Sequence, residues 1–483
     1  MLVTMPSQRQ VLSILACLST FFLLLTLFRH DDVYTKIPGL GKSKGDAKAP
    51  DQDKKPPPPR RYKPKPEYIP PPIKDNFPLL STSLKAPPIP KWNVPRANLH
   101  KEYDLPIAPP LLIGFSRTWP ILLQAVVSYL TAGWPADQIY VVENTGVQQA
   151  NARGQLTLQN PFYLNHTILN ALGVNIIQTP TLLSFAQLQN FYLSLTYSHD
   201  WPYYFWSHMD VLVLSYEDGH ELTPKYHEEG YKPLYELALK ALRDARRNDP
   251  HWATRFFSYD HLTAVNPAAY EDVGGWDTMI PYYITDCDMH SRLLMRNWTM
   301  EDVRAGIITD VSTSLDDLVA LYRVDGVEPK FTDPNPPPPK KEGEDGKRLR
   351  RDMVDMVTKR DAVKVTKRVP PSGMLDKRDR AKVYRSSDED ENLRRWRKLL
   401  STADSMFHYK HGARGRNTWQ TGQRGGQGEP FYYDAAGLAE AIDLTTENGK
   451  EIFRRKWGHR DCDLRSGAGL QFDDQWLVEK DWE

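Results

Sequence analysis

The feature that most constrains the fold is an alternation of short apolar runs with helix-patterned segments between residues 111 and 260. The apolar runs are typical of buried strands and lie at 111–116, 138–144, 174–179, 203–214 and 253–260. Helical spacing is found over 118–131, 164–172, 184–198 and 231–247. Because strands that alternate with helices usually pair through crossovers, the pattern predicts an α/β fold with a mixed, mostly parallel sheet flanked by helices.

Composition is compatible with this fold and narrows the function. The chain has 483 residues, of which 40% are hydrophobic, enough for a large core and two or three domains. Its 62 Lys and Arg residues are balanced by 61 Asp and Glu residues. A dedicated nucleic-acid binder normally has a strong basic excess, so we expect no nucleic-acid partner.

The N-terminus has the pattern of a membrane anchor. Residues 11–28, VLSILACLSTFFLLLTLF, would span about 27 Å as a helix, enough for a thin bilayer. FRHDD follows in place of a small-residue cleavage site, which favours an uncleaved anchor behind a short cytoplasmic tail at 1–10. Basic residues on both sides leave the orientation open. The sequons at Asn165 and Asn297 favour a lumenal body, hence a single-pass type II protein.

Clusters among the 39 prolines divide the rest of the chain. Residues 29–110 are predicted to be an extended Pro-rich stem. The main domain is expected at 111–332. Residues 333–401, charged and flanked by proline, are predicted to be a mostly disordered insertion. Residues 402–483 would complete the domain with a Gly/Arg-rich lid loop and a helix.

Three cysteines are present, and none belongs to a CxxC pair. Cys17 lies in the anchor. Cys287 and Cys462 either form one disulfide in an oxidising compartment or remain two buried thiols.

Polar residues follow several predicted strands where packing alone would favour apolar ones. The run YYFWSHMDVLVL is interrupted by His208 and Asp210, and earlier strands end at Arg117, Glu143 and Asn144. In an open parallel sheet, ligands bind at the carboxyl ends of the strands. A buried carboxylate without a partner is costly. A divalent metal ion with phosphate oxygens would supply that partner.

These stretches resemble the GT-A glycosyltransferases, the nucleotide-diphospho-sugar enzymes, and most closely their family-2-like members. The matching pieces are LIGFSRTWPILLQAVVSYLTAGW, IYVVEN, and AQLQN before SHMD, within about 111–310. The resemblance implies a GT-A fold in which Arg117, Glu143 and Asn144 face the nucleotide and Asn190 lines its site. With anchor and stem included, the chain is similar to a fungal-type family of transferases, which implies a Golgi or ER membrane location.

One departure from the family concerns its metal motif. His208-Met-Asp210 stands where Asp-x-Asp is usual. The resemblance implies that Asp210 binds Mn²⁺ or Mg²⁺, while His208 either binds Mn²⁺ or hydrogen-bonds ribose or backbone. It also implies a C-terminal loop in which His408 binds the metal and Lys410 binds the diphosphate. The alternative is a solvated basic loop.

A second group of residues lies in DVGGWDTMIPYYITDCDMHSRLL, 272–294. It resembles a block found in inverting hexosyl-type transferases, with Asp286 on the catalytic carboxylate. Gly275 and Trp276 would approach and stack on the acceptor sugar. Asp288 would cap a helix or support the acceptor site. The alternative is that both aspartates only cap the helix.

The resemblance implies a metal-dependent hexosyltransferase, inverting, that uses a UDP- or GDP-linked sugar and a glycan, glycoprotein or glycolipid acceptor. Two aspartates only two residues apart would rarely straddle a glycosidic bond, which disfavours a glycosidase. A Rossmann-type oxidoreductase is disfavoured because no GxGxxG follows the first strand. A GT-A-like protein that binds glycans without catalysis remains the alternative.

Overall fold

A seven-stranded sheet organises the chain, in the order β3-β2-β1-β4-β7-β6-β8. The computed structural model describes residues 59–62, 72–332, 390–412, 426, 429 and 435–482. Strands β5 and β9 form a separate two-stranded sheet. The strands are β1 Leu111–Phe115, β2 Ile139–Glu143, β3 Asn175–Gln178, β4 Tyr204–Ser207, β5 Val211–Leu214, β6 Trp252–Phe257, β7 Leu262–Val265, β8 Thr299–Val303 and β9 Ile307–Asp310.

Helices connect and cover the strands. The α-helices are α1 Pro78–Ser83, α2 Leu99–Glu102, α3 Trp119–Thr131, α4 Gln148–Ala152, α5 His166–Ala171, α6 Phe185–His199, α7 Leu234–Asn248, α8 Pro267–Asp272, α9 Thr285–Met295, α10 Glu391–His411 and α11 Ala435–Trp457. Short 3₁₀ turns lie at Lys91–Asn93, Ala136–Gln138, Tyr259–His261, Leu318–Tyr322 and Phe472–Asp474.

The predicted mixed, mostly parallel sheet flanked by helices is confirmed, and it fits a Rossmann-like fold. Pairs β1–β2, β1–β4, β2–β3 and β6–β8 are parallel, and β7 runs antiparallel to β4 and β6. Alternate residues of β1 enter two apolar clusters on opposite faces of the sheet, with Leu111 and Ile113 in one and Leu112 in the other. Helix α3 is buried along its whole length, as expected for a helix that is apolar on every side.

The predicted strand 203–214 is wrong in one respect, since the structure divides it in two. Strand β4 ends at Ser207, and β5 begins at Val211. Strand β5 leaves the large sheet and pairs antiparallel with β9. The polar residues His208 and Asp210 therefore occupy the corner between two sheets rather than the middle of one strand.

The C-terminal half of the predicted stem is folded, which corrects the boundary at residue 110. Phe77, Leu80 and Leu99 are buried in the main core. Asn93 donates a hydrogen bond to the carbonyl of Thr131 at 2.8 Å, so the segment is bonded to α3 as well as packed on the core. Apolar residues between the prolines supply the buried surface that an extended linker lacks.

The C-terminal boundary predicted for the insertion 333–401 is also wrong, because folded structure begins before residue 401. Helix α10 begins at Glu391, and Leu393, Trp396 and Leu399 are buried. Residues 333–389, the anchor at 11–28, and the lid loop at 413–434 apart from residues 426 and 429 lie outside the described residues. In the part of the chain that the structure describes, no helix is both long enough and apolar enough to cross a bilayer.

Residues 453–470, near the C-terminus, pack against α9 and the loop that precedes it. Cys287 in α9 and Cys462 form a disulfide with their Cα atoms 5.2 Å apart. Ile280, Phe453 and Trp457 lie in a small apolar cluster against which Cys287 packs. Of the two alternatives that the sequence left open, the structure has the disulfide.

Candidate active site

The strand register brings the predicted polar groups to one edge of the sheet. In the parallel pair β1–β2, Phe115 lies opposite Glu143, and in β1–β4, Ile113 lies opposite Ser207. Strand β7 runs the other way, with Leu262 opposite Ser207. The start of β7 therefore lies beside the end of β4, and the backbone N–H of His208 donates to the carbonyl of His261 at 3.0 Å.

The second sheet places two aspartates side by side. In the antiparallel pair β5–β9, Val211 lies opposite Asp310. The N–H of Val311 donates to the carbonyl of Asp210 at 2.9 Å. Asp210 and Asp310 thus occupy adjacent positions, and both are almost fully buried. Two carboxylates this close repel each other unless a cation lies between them.

Lys410 supplies that cation. Its Nζ is 2.7 Å from Oδ2 of Asp210 and 2.5 Å from Oδ1 of Asp310, and its side chain is 3% exposed. His411 adds a contact of 2.8 Å between Nε2 and Oδ2 of Asp310. Burial by itself would lower the pKa of Lys410, but the two carboxylates outweigh it and raise that pKa. Burial opposes ionisation of Asp210 as well, yet Lys410 and His208 hold its pKa far below the usual range.

His208 lies between two carboxylates at the mouth of this cluster. Its Nδ1 is 3.6 Å from Oδ1 of Asp210, and its Nε2 is 3.6 Å from Oδ2 of Asp260. Burial disfavours the charged ring, but Asp260 and Asp210 raise the pKa of His208 to about 10. Conversely, burial opposes the ionisation of Asp260, and His208 lowers the pKa of Asp260 to about 2. The side chain of His208 is 31% exposed, although its Nε2 atom is buried and has no hydrogen-bond partner among the described residues.

Helix α10 delivers Lys410 through its buried face. Trp396, Leu399, Ala403, Met406 and Lys410 are the buried residues along this face, spaced three or four residues apart. Lys410 thus occupies a position on the buried face of α10 where an apolar residue is usual. His408, predicted to bind metal with Asp210, is exposed instead. Residues two apart on a helix face different directions, so both cannot turn toward Asp210.

Asp286, the predicted base, lies at the start of α9 and is half-buried. The hydroxyl of Tyr259 donates to its Oδ2 at 3.2 Å. Burial lowers the pKa of His290, and the carboxylates of Asp286 and Asp260 oppose this shift. These two carboxylates therefore lie within electrostatic reach of the same imidazole ring. The structure therefore brings Asp286 to the region of His208, Asp210 and Asp260.

The turn that carries Tyr259 is strained. Ser258 and Tyr259 have φ of 63° and 56°, two successive left-handed residues without glycine. Such residues cost about 1–3 kcal/mol each and concentrate at functional sites. Tyr259 nevertheless remains 54% exposed, so the strain holds its ring at the surface beside Asp286.

Asp288 has a structural environment, which corrects its assignment to a helix cap or an acceptor site. It is fully buried, and the residue at the cap position of α9 is Ile284. Its carboxylate lies 2.8 Å from Nη2 of Arg292 and 2.7 Å from Nζ of Lys456, and it accepts from Nε1 of Trp457 at 2.9 Å. These bonds join α9 to α11 and leave no surface for a substrate.

Trp276 is not an exposed stacking platform, which corrects the second acceptor assignment. It is 4% exposed and packs edge-on against Phe185 in the core. Asn190, predicted to line the nucleotide site, exchanges two hydrogen bonds of 2.8 Å with the Trp276 backbone. Gly275 has φ of 74°, and a Cβ there would lie 2.9 Å from Oδ1 of Asn190. The hydrogen bonds of Asn190 and the close approach of Gly275 thus hold the loop at residues 275–276 against α6.

The other predicted nucleotide contacts lie at the expected edge but are bonded within the protein. Glu143 is fully buried and accepts from Asn151 at 2.8 Å and Gln178 at 2.9 Å. Asn144 bonds the backbone N–H of Leu183 at 2.7 Å and its carbonyl at 2.9 Å. These two residues shape the loops after β2 and β3.

Arg117 follows β1 and lies near Tyr282 and Tyr283, on the loop that leads to Asp286. Burial lowers the pKa of its guanidinium, and the two tyrosines act in the opposite direction. Arg117 therefore lies within electrostatic reach of the loop that precedes Asp286.

Sequence reasoning missed three members of the site, Asp260, Asp310 and Tyr259. The first two follow or end a strand, as Asp210 does, so the same strand-end signal could have found them. The last lies in a turn whose strain depends on backbone geometry, and the sequence carries no corresponding signal.

The residues at Asp210 do not fit a divalent metal ion. Lys410 is bonded to Asp210, both ring nitrogens of His208 face carboxylates, and His408 is exposed. In the described part of the chain, the one group of three side chains close enough to share an ion is His459, Asp461 and Asp463, among the C-terminal residues.

No family model and no curated protein matches this chain. Among solved structures, the mannosyltransferase PcManGT from Pyrobaculum calidifontis, in complex with GDP-Man and Mn²⁺, is 14% identical with a TM-score of 0.27. That match covers 72% of this chain and 89% of the mannosyltransferase. A cytidylyltransferase from Leptospira borgpetersenii is 9% identical with a TM-score of 0.24, over 40% of this chain and 75% of its own.

Proposed function

We propose that this protein is a glycosyltransferase that moves a sugar from a UDP- or GDP-linked donor to a hydroxyl of a glycan, glycoprotein or glycolipid. The observation that carries the proposal is the meeting of a cationic group and a separate carboxylate at one sheet edge. His208 provides the positive charge, and Asp286 provides the carboxylate. A diphosphate leaving group and an acceptor hydroxyl need these two chemistries.

The proposed reaction inverts the anomeric centre in one displacement. Asp286 accepts the proton of the acceptor hydroxyl as its oxygen bonds to the anomeric carbon. The bond from that carbon to the diphosphate oxygen breaks on the opposite face, and the nucleoside diphosphate leaves with the electron pair. His208 and Arg117 stabilise the charge that develops on the diphosphate. Tyr259 orients Asp286 through its hydroxyl.

The proposed location is the lumen of the Golgi or ER, with residues 11–28 as the single membrane anchor. The Cys287–Cys462 disulfide supports an oxidising compartment. Asn297, in one sequon, is exposed, whereas the side chain of Asn165 accepts from the N–H of Ile168 and caps α5. A glycan at Asn297, removed by endoglycosidase and absent from Asn297→Gln, would support this location.

The decisive experiment is a transfer assay with the full chain in detergent, against a panel of UDP- and GDP-sugars and glycan acceptors. We expect turnover of at least one donor. Asp286→Asn should lower that turnover by about 10²–10⁴-fold while UDP or GDP still binds, because a general base contributes a factor of this size. Binding of glycans with no turnover of any donor would favour the inactive glycan-binding alternative, which the His208 departure from Asp-x-Asp motivates.

A further inference from the structure

We propose that Lys410 is a built-in cation that stands between Asp210 and Asp310 where a divalent metal ion would have to bind, so that nucleoside diphosphates bind here without metal. This proposal rests on the proposed function for its ligand. Its claim about which cation Asp210 holds can be tested independently of that function.

Geometry is the first support. One ammonium group contacts both carboxylates, at 2.7 and 2.5 Å, with 3% of the lysine side chain exposed. A metal ion bridging Oδ2 of Asp210 and Oδ1 of Asp310 would compete with Lys410, which already bonds both oxygens. The positive charges of the ion and the ammonium group would also repel each other at this distance.

The remaining nearby groups offer a metal few ligands. Nδ1 of His208 faces Asp210 and its Nε2 faces Asp260, each at 3.6 Å. Nε2 of His411 is bonded to Asp310 at 2.8 Å. His261 has its Nδ1 2.7 Å from the carbonyl of Ser258. Nε2 of His261 lies 3.6 Å from Oδ1 of Asp310, an oxygen that Lys410 already bonds, so a metal ion bound to this ring would compete with Lys410 for that carboxylate.

Charge is the third support. Asp210, Asp260 and Asp310 bring three negative charges into a space of low exposure, and unpaired charges there are costly. Lys410 offsets one of these charges without any ion from solvent. It belongs to the buried face of α10, so the folded helix itself holds the cation in place.

The test compares the full chain in detergent with EDTA and with Mn²⁺, using UDP and GDP as probes. Every variant carries Asp463→Asn, which removes a ligand from the other group that could hold an ion. Isothermal titration gives the Kd for each nucleotide, and thermal unfolding gives the Tm with Mn²⁺ alone. Lys410→Ala is the test variant. Lys398→Ala is the matched control, a lysine on the same helix that contacts exposed Glu328.

In the Asp463→Asn background, we expect the same nucleotide Kd in EDTA and Mn²⁺ and no change of Tm with Mn²⁺. Lys410→Ala should weaken nucleotide binding by about tenfold or more, because Asp210 and Asp310 then lack a cation and their negative charge repels the diphosphate. The Tm of this variant should also rise when Mn²⁺ is added, because Asp210 and Asp310 then lack a cation. Lys398→Ala should match its parent on every measure.

Nucleotide binding that requires Mn²⁺ would overturn the proposal, as would a Tm rise with Mn²⁺ in the parent that Asp210→Asn removes. These outcomes need no Lys410 variant, so they decide the question even if Lys410→Ala fails to fold. Absence of UDP and GDP binding under both conditions would instead contradict the proposed function. The Mn²⁺ effect on Tm would then still decide which cation Asp210 holds.

Discussion

Asp286 and Asp288 show how far two neighbouring aspartates can differ. They are two positions apart on α9, yet one is half-buried beside Tyr259 and the other is fully enclosed by Arg292 and Lys456. The helix turns about 200° between them, so Asp286 faces Tyr259 and Asp288 faces α11. A family resemblance at this motif does not separate the two roles, because residue type and spacing are the same for both.

The same substitution is predicted to cost much more stability at Asp288 than at Asp286. Asp288→Ala should lower the free energy of unfolding by about 3–5 kcal/mol, because it leaves Arg292 and Lys456 buried without their carboxylate. Asp286→Ala should change it by less than about 1 kcal/mol, since it removes one half-buried hydrogen-bonded group. Denaturant unfolding of both variants checks this. A larger loss from Asp286→Ala than from Asp288→Ala would contradict the division of roles.

At the scale of elements, the site depends on segments far outside the predicted main domain. Residues 72–110 pack Phe77 and Leu80 into the main core, and α10 returns after residue 389 to bring Lys410 to Asp210. Both segments follow proline-rich or charged stretches, which conceal their apolar spacing. The domain boundary from composition is therefore too narrow at both ends.

A truncation series tests this boundary. A fragment of 72–483 should be soluble and unfold cooperatively, whereas a fragment of 111–483 should be insoluble or lack a cooperative transition. The shorter fragment loses Phe77, Leu80 and Leu99 from the core, and each large buried side chain is worth about 2–5 kcal/mol. Circular dichroism during thermal unfolding measures the difference. Equal stability of the two fragments would restore the extended stem over the whole of 29–110.

At the scale of the whole molecule, the Cys287–Cys462 disulfide joins residues 175 positions apart. It ties the C-terminal residues to the first turn of α9, where Cys287 directly follows Asp286. A cross-link over so long a loop restricts the unfolded chain strongly, and the loss of such a bond typically costs about 2–5 kcal/mol.

Cys462→Ser should therefore lower the free energy of unfolding by about 2–5 kcal/mol. Reduction with dithiothreitol should lower the Tm of the parent chain and leave that of Cys462→Ser unchanged. Cys17→Ser, which alters a cysteine outside this pair, serves as the control. An identical response of parent and Cys462→Ser to reduction would show that the bond adds no stability in solution.

The alternation of apolar runs and helical spacing, visible in residues 111–260, determined the fold class, because side-chain periodicity directly reflects which faces are buried. It also determined that Glu143, His208 and Asp210 lie at one edge, since parallel strands end together. Only the tertiary structure decided which partners those groups meet. Lys410 reaches Asp210 across 200 residues and Asp310 across 100, and no local pattern records such a contact. Contacts between distant segments depend on how helices and sheets pack, and that packing decides whether a buried carboxylate faces a metal, a lysine or a substrate.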